Sequence, residues 1–360
     1  MNITIIGGGN IGSTLATKFS LKSNLTLYVG NSNNPDDYTK NMQIFNPDTN
    51  STTTANINKI TNSLKEALKD ADLVFITYPQ FLFKKLAEDM YPYVKEGTHL
   101  VFVPGSGGAE FWFKHFLNKN CTITGLQRVH CVARIIEKGK LVKECGVKKS
   151  LKIASIPNRY NSEAKKILEF LFDLPIELLD NYANITLINS NSVLHTSRLY
   201  CLFKDFNQNR LYKHIPLFYE DWNIESAKVL ISLDNELQEI LQTLSNNKMD
   251  MTGIVDILTY YDSTNEIELK NKLSSISGFK GIKTPYIETE KGLKPDLNSR
   301  YFIADFPYGL DIILSFAEIC GTNKTTLEQV SNWYYKISNT KRVFNLKQFN
   351  INSLEDVLNF

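Results

Sequence analysis

The first twenty residues constrain this chain more than any other stretch. Asn2-Ile3-Thr4-Ile5-Ile6 is a short, β-branched run that passes directly into Gly7-Gly8-Gly9-Asn10-Ile11-Gly12, after which Leu15, Ala16 and Phe19 recur at helical spacing. A GxGxxG motif between a strand and a helix is a dinucleotide cradle. Gly7 permits the tight turn, Gly9 lets the backbone approach a pyrophosphate, and Gly12 lets the helix pack on the strand. The helix that opens at Asn10 and Ile11 then turns free N–H groups and a partial positive charge toward the phosphates. A bare glycine turn is the alternative, but strand, motif and helix fall here in register.

The second strand, near residues 25–29, should end at the adenosine ribose. An acid there would bind the 2′-hydroxyl of NAD, but the chain reads Gly30-Asn31-Ser32-Asn33-Asn34, with no carboxylate until Asp36. Asn31 and Ser32 can donate to a 2′-phosphate that a carboxylate would repel, so the loop favours NADP(H) over NAD(H), although the usual arginine is missing. A helix near Ser63 to Lys69 follows an Asn- and Thr-rich segment. The apolar run from Leu73 to Thr77 reads as a parallel strand buried on both faces, ending at Tyr78-Pro79, where such sheets bind ligands. A helix near Phe83 to Met90, a strand near Leu100 to Val103 and the loop Pro104-Gly105-Ser106-Gly107-Gly108 repeat the unit. The alternation predicts an α/β Rossmann domain over residues 1–183, with an excursion from Thr122 to Ile136 that carries Arg128 and Arg134.

Composition narrows the function. Basic and acidic residues number 40 and 38 with no long run of one sign, which makes nucleic acid and anionic membranes poor partners. Five cysteines form no CxxC pair, a pattern suited to a reducing cytoplasm, and no metal-binding spacing is present. No segment offers about 18 uninterrupted apolar residues.

From residue 184 helical periodicity takes over, predicting a mostly α-helical C-terminal domain over residues 184–360. Glu225 to Leu244 carries Val229, Leu230, Leu233, Leu237, Ile240, Leu241 and Leu244 at helical spacing, a stripe suited to a core or to a homodimer interface. Residues 279–298 read as loop. In Asn191-Ser-Val-Leu-His195, helical spacing puts Asn191 and His195 on one face, pairing a group that holds a polar ligand with one that exchanges protons near neutrality. Asp305 stands two residues before Pro307, at a helix-start signal, where capping is its local reading.

Three segments together, GGGNIG, Asn191-Ser-Val-Leu-His195 and Arg300-Tyr-Phe-Ile-Ala-Asp305-Phe-Pro-Tyr-Gly-Leu310, resemble the octopine/opine dehydrogenases over nearly the full length. Thr196 departs from the proline that many members carry. The resemblance implies a Rossmann domain joined to a helical one, with the active site in the cleft between them. It also implies reductive condensation of an amino acid with a 2-oxo acid such as pyruvate, with His195 as acid/base and Asp305 as its orienting partner. Such a reaction needs one group that deprotonates an ammonium and later protonates a leaving hydroxyl, which suits an imidazole. Two substrate carboxylates call for cations, for which Arg134, Arg198 and Arg300 are the candidates. The rivals are a 2-oxo acid or 3-hydroxy acid reductase, of the ketopantoate or glycerol-3-phosphate dehydrogenase type, and a nucleotide sensor without chemistry.

Overall fold

The computed structural model describes residues 1–360, which divide into two compact units, Met1–Thr186 and Leu187–Phe360. Unit 1 holds twelve strands. They are β1 (Asn2–Ile6), β2 (Asn24–Tyr28), β3 (Gln43–Asn46), β4 (Ser51–Thr54), β5 (Lys59–Thr61), β6 (Leu73–Ile76), β7 (His99–Phe102), β8 (Thr122–Leu126), β9 (Val132–Glu137), β10 (Leu141–Cys145), β11 (Leu151–Ile156) and β12 (Ile176–Leu178). Its helices are α1 (Asn10–Ser20), α2 (Leu64–Leu68), α3 (Phe83–Met90), α4 (Ala109–Trp112), α5 (Asn161–Phe172) and α6 (Ala183–Thr186).

The main sheet runs β12-β11-β8-β7-β6-β1-β2-β5, parallel except where β8 meets β11. Period-two alternation explains why its central strands are apolar throughout: Leu73 and Phe75 enter one core with α1 and α5, while Val74 and Ile76 enter the other with α3. Ser63 caps α2 by accepting from the Glu66 N–H. The Asn- and Thr-rich segment is more regular than its composition suggests. β3 and β4 form a hairpin that joins β10 and β9 in a second sheet, ordered β4-β3-β10-β9.

Unit 2 is built around α8 (Ile224–Asn246), which packs against α7 (Asn191–Phe203), α10 (Glu266–Ser275), α12 (Asp311–Cys320) and α13 (Thr325–Ser338). Shorter helices are α9 (Ile257–Tyr260), α11 (Arg300–Ile303) and α14 (Leu354–Leu358). Leu230, Leu233, Leu237, Ile240, Leu241 and Leu244 are all buried inside the unit, so the α8 stripe is core, not a subunit interface. Two buried acids on α8 act as anchors. Glu236 accepts from the N–H groups of Thr326 and Leu327 at the start of α13, and Asp234 accepts from the Ile257 N–H and the Asn189 amide.

The expected loop over residues 279–298 contains a hairpin, β13 (Tyr286–Thr289) with β14 (Gly292–Pro295). Its strands are short, β13 largely exposed and β14 half-buried, so they carry no hydrophobic alternation for a sequence reading to find. No helix is long and apolar enough to cross a membrane.

Candidate active site

In unit 1 the glycine turn has the geometry its motif implies. Gly7 has φ +118°, and a Cβ there would stand 2.6 Å from Thr77 Oγ1. A Cβ on Gly12 would fall 1.8 Å from the Gly7 carbonyl, so only glycine lets α1 approach β1 this closely. Above Gly9 the space is open, with no atom within 4 Å of a built Cβ. These features fit a pyrophosphate lying over Gly9 against the N–H groups that open α1. The Asn10 side-chain oxygen is engaged elsewhere, accepting from the Ile135 N–H at 2.8 Å. Pro79 lies just past the carboxyl end of β6 and caps the next turn.

At the end of β2, the Tyr28 hydroxyl donates to Asn31 Oδ1, and Ser32 is exposed. A cation that sequence reading missed reaches the same loop. Lys138, in the turn between β9 and β10, donates to Asn33 Oδ1 at 2.7 Å. It lies about a hundred residues along the chain, with no motif around it.

Unit 1 also gathers three buried donors, His130, Cys131 and Glu144, whose ligand atoms lie within 4.8 Å of one another. Lys18 supplies the positive charge there, its Nζ 2.7 Å from Glu144. Burial alone would raise the Glu144 carboxyl, but the bonds from His130 and Lys18 outweigh it and bring it down to about 2. Arg128 and Arg134 lie in the same unit. Arg134 is exposed on β9, with one guanidinium nitrogen on the Ala133 carbonyl.

Unit 2 brings together three segments far apart in sequence. α7 begins at Asn191, which is exposed, and carries His195 one turn on, 7 % exposed. Thr196 does not interrupt the helix, because its hydroxyl bonds back to the Ser192 carbonyl at 2.6 Å. The second segment, Arg300 to Leu310, passes through a π-turn (Phe306–Leu310) into α12. Gly309 lets that turn lie against α7, since a Cβ there would stand 2.8 Å from Ser192 Cβ. Phe306 stacks on Tyr334 at 4.4 Å and fixes the segment from its other side.

The result is a hydrogen-bonded pair across 110 residues: His195 Nδ1 lies 2.7 Å from Asp305 Oδ2. Asp305 makes no side-chain cap, so its helix-start position is not what holds the carboxylate. Because a carboxylate only accepts, Nδ1 carries the hydrogen and the neutral ring keeps its lone pair on Nε2. The Tyr301 ring covers the imidazole at 4.5 Å between centroids, and Phe218 meets it edge-on at 5.3 Å.

The third segment, residues 217–222, corrects one expectation. Arg198 does not await a substrate carboxylate. It is 1 % exposed, and its guanidinium donates to the carbonyls of Leu217, Phe218 and Asp221 and to the Ser226 hydroxyl. Burial pushes it down to about 10. A planar fork facing converging carbonyls suits this role, which is to tie the 217–222 loop to α7. The loop places Tyr219, which sequence reading also missed, with its hydroxyl 2.7 Å from His195 Nε2. Arg300, by contrast, is exposed at the start of α11, next to Tyr301.

Known proteins resemble both halves of the chain. Residues 178–338 match the NAD/NADP octopine/nopaline dehydrogenase alpha-helical domain, and residues 2–103 match the family described as NADP oxidoreductase coenzyme F420-dependent. Tauropine dehydrogenase of Arabella iricolor is 26 % identical over 370 residues, covering 93 % of this chain and 91 % of that protein. These matches support the opine dehydrogenase family. Opine dehydrogenase of Haliotis discus hannai is 27 % identical over 297 residues, covering 78 % and 73 % of the two chains. An octopine dehydrogenase solved with NADH and L-arginine shares the fold, with a TM-score of 0.87 at 20 % identity over 99 % of this chain and 98 % of that one. The same matches support an oxidoreductase of CH–NH donors that uses a nicotinamide cofactor.

Proposed function

We propose that the chain condenses the amine of an amino acid with a 2-oxo acid, pyruvate being the first candidate, through a C=N intermediate that NAD(P)H reduces, and that it runs the reverse oxidation. The observation that carries this reading is the 2.7 Å contact between His195 and Asp305, which leaves the lone pair on Nε2 while Asp305 steadies the charge gained on protonation. His195 takes a proton from the substrate ammonium and returns it to the hydroxyl that leaves as water. The nicotinamide, when bound in the unit 1 cradle, supplies hydride to the C=N carbon.

Arg300 is the arginine best presented for a substrate carboxylate, and Asn191 offers its amide one turn before His195. Arg134 is the remaining candidate for the second carboxylate. An octopine dehydrogenase solved with NADH and pyruvate supports pyruvate as the oxo acid to try first. For the cofactor, Asn31, Ser32 and Lys138 give the ribose loop donors and a cation but no carboxylate between Val29 and Asn34, which supports NADP(H). Five free thiols fit a reducing cytoplasm.

The test is a screen of alanine, arginine, lysine, histidine and taurine against pyruvate, followed by the absorbance of NADPH and then of NADH. Oxidation that requires both amine and pyruvate is the expected result. Oxidation with pyruvate alone would make the protein a 2-oxo acid reductase, and nucleotide binding without turnover would make it a sensor.

A further inference from the structure

His195 presents its base nitrogen to Tyr219, not to open space. Nε2 of a neutral imidazole has one in-plane lone pair, and with Nδ1–H donating to Asp305 that lone pair accepts from the Tyr219 hydroxyl at 2.7 Å. Tyr301 and Phe218 stand against the ring itself. A substrate therefore exchanges protons with His195 either by displacing Tyr219 or through it. Displacement is disfavoured by how the tyrosine is held. Its ring stacks parallel on Phe279 at 4.0 Å and on Trp222 at 6.1 Å, it is 5 % exposed, and Arg198 ties down the carbonyls of its neighbours Leu217, Phe218 and Asp221. Swinging it out would break that stack and take from the buried His195 Nε2 its hydrogen-bond donor.

We propose that Tyr219 is a proton relay, the group that touches the reacting nitrogen and oxygen on behalf of His195. The inference rests on the reductive condensation described above. In the first step the substrate ammonium gives a proton to Tyr219 Oη as the tyrosine's own hydrogen moves to His195 Nε2; an N–H bond breaks, an O–H bond is exchanged, and the imidazolium is held by Asp305. The freed amine adds to the 2-oxo carbon, and its second proton passes to the oxygen to give a carbinolamine. In the return step the imidazolium restores a hydrogen to Tyr219 while Tyr219 gives one to the carbinolamine hydroxyl. The C–O bond breaks and water leaves. One ammonium and one ketone yield one protonated C=N and one water, so no outside acid or base is consumed.

The relay is tested with Tyr219→Phe, which keeps the ring and its stacking and removes only the hydroxyl. Turnover is followed as NADPH oxidation with saturating pyruvate and each of alanine, arginine and taurine, and the thermal midpoint is recorded as a folding control. We expect kcat to fall about 10²- to 10³-fold, the size of a lost general acid–base step. KM for the amine and for pyruvate should stay within about threefold. In mixtures of H2O and D2O, the wild-type rate should curve with deuterium fraction, as two protons in flight require, and the residual Tyr219→Phe rate should not. A Tyr219→Phe enzyme that turns over at or above the wild-type rate would overturn the relay and make Tyr219 a placeholder that substrate displaces. If wild type instead reduces pyruvate without any amine, the condensation reading fails. The same pair of enzymes still decides the relay, because the alkoxide then collects its proton by the same route.

Discussion

The cofactor cradle of unit 1 and the His195 site of unit 2 are assembled in opposite ways. The cradle is contiguous: β1, the glycine turn and the start of α1 lie within residues 2–20, and Gly7 and Gly12 each have a steric reason to be glycine. The cluster in unit 2 takes His195 from α7, Tyr219 from a loop held by Arg198, and Asp305 from a segment pressed onto α7 through Gly309. A contiguous site inherits its geometry from backbone turns, whereas a dispersed one depends on the packing that brings its parts together. Damage should therefore spread further in the second than in the first.

The largest effect should come from the pair that spans the most sequence. Asp305→Asn keeps the shape but no longer fixes the imidazole tautomer or its charge, and kcat should drop by about 10³- to 10⁴-fold, with NADPH affinity measured by fluorescence unchanged. Equal losses of kcat and of nucleotide affinity would show that the two regions are not separable in this way. Next comes Arg198→Met, which leaves the carbonyls of Leu217, Phe218 and Asp221 without their donor. We expect a loss of about 3–5 kcal/mol, a midpoint on the order of 10 °C lower, and reduced kcat in whatever fraction stays folded. A fully stable variant with a raised KM for the 2-oxo acid alone would return Arg198 to the substrate. The smallest effect should be that of Lys138→Ala, a change outside the contiguous cradle that removes the cation reaching the loop after β2. KM for NADPH should rise about tenfold, as the loss of one exposed cation from a phosphate site implies, while KM for NADH stays put. Equal changes for both nucleotides would place Lys138 away from the 2′-phosphate.

These differences also explain what was legible in advance. The GGGNIG turn and the apolar strands could be read because their causes lie within a few residues: φ and close approach for the glycines, burial on both faces for Leu73 to Ile76. Arg198 was misread because a sequence shows a cation but not its burial. Tyr219 sits in Phe218-Tyr219-Glu220-Asp221-Trp222, an aromatic and acidic run with no period, and nothing local points its hydroxyl at an imidazole. The two hairpins, β3 with β4 and β13 with β14, were obscured because β4 and β13 lie largely exposed and β3 and β14 bury one residue each, which needs no apolar alternation.

By itself the chain determined that a dinucleotide-binding α/β unit comes first and a helical unit second, because hydrophobic period and glycine stereochemistry act over short distances. The three family-like segments singled out His195 and Asp305 but could not say that their side chains meet. Only the tertiary structure decided that the Asp305 carboxylate meets the imidazole instead of capping a helix, that the Arg198 guanidinium braces a loop, and that Tyr219 stands at His195 Nε2. Each of these is a hydrogen bond between residues that the fold, and not the order of the chain, makes neighbours.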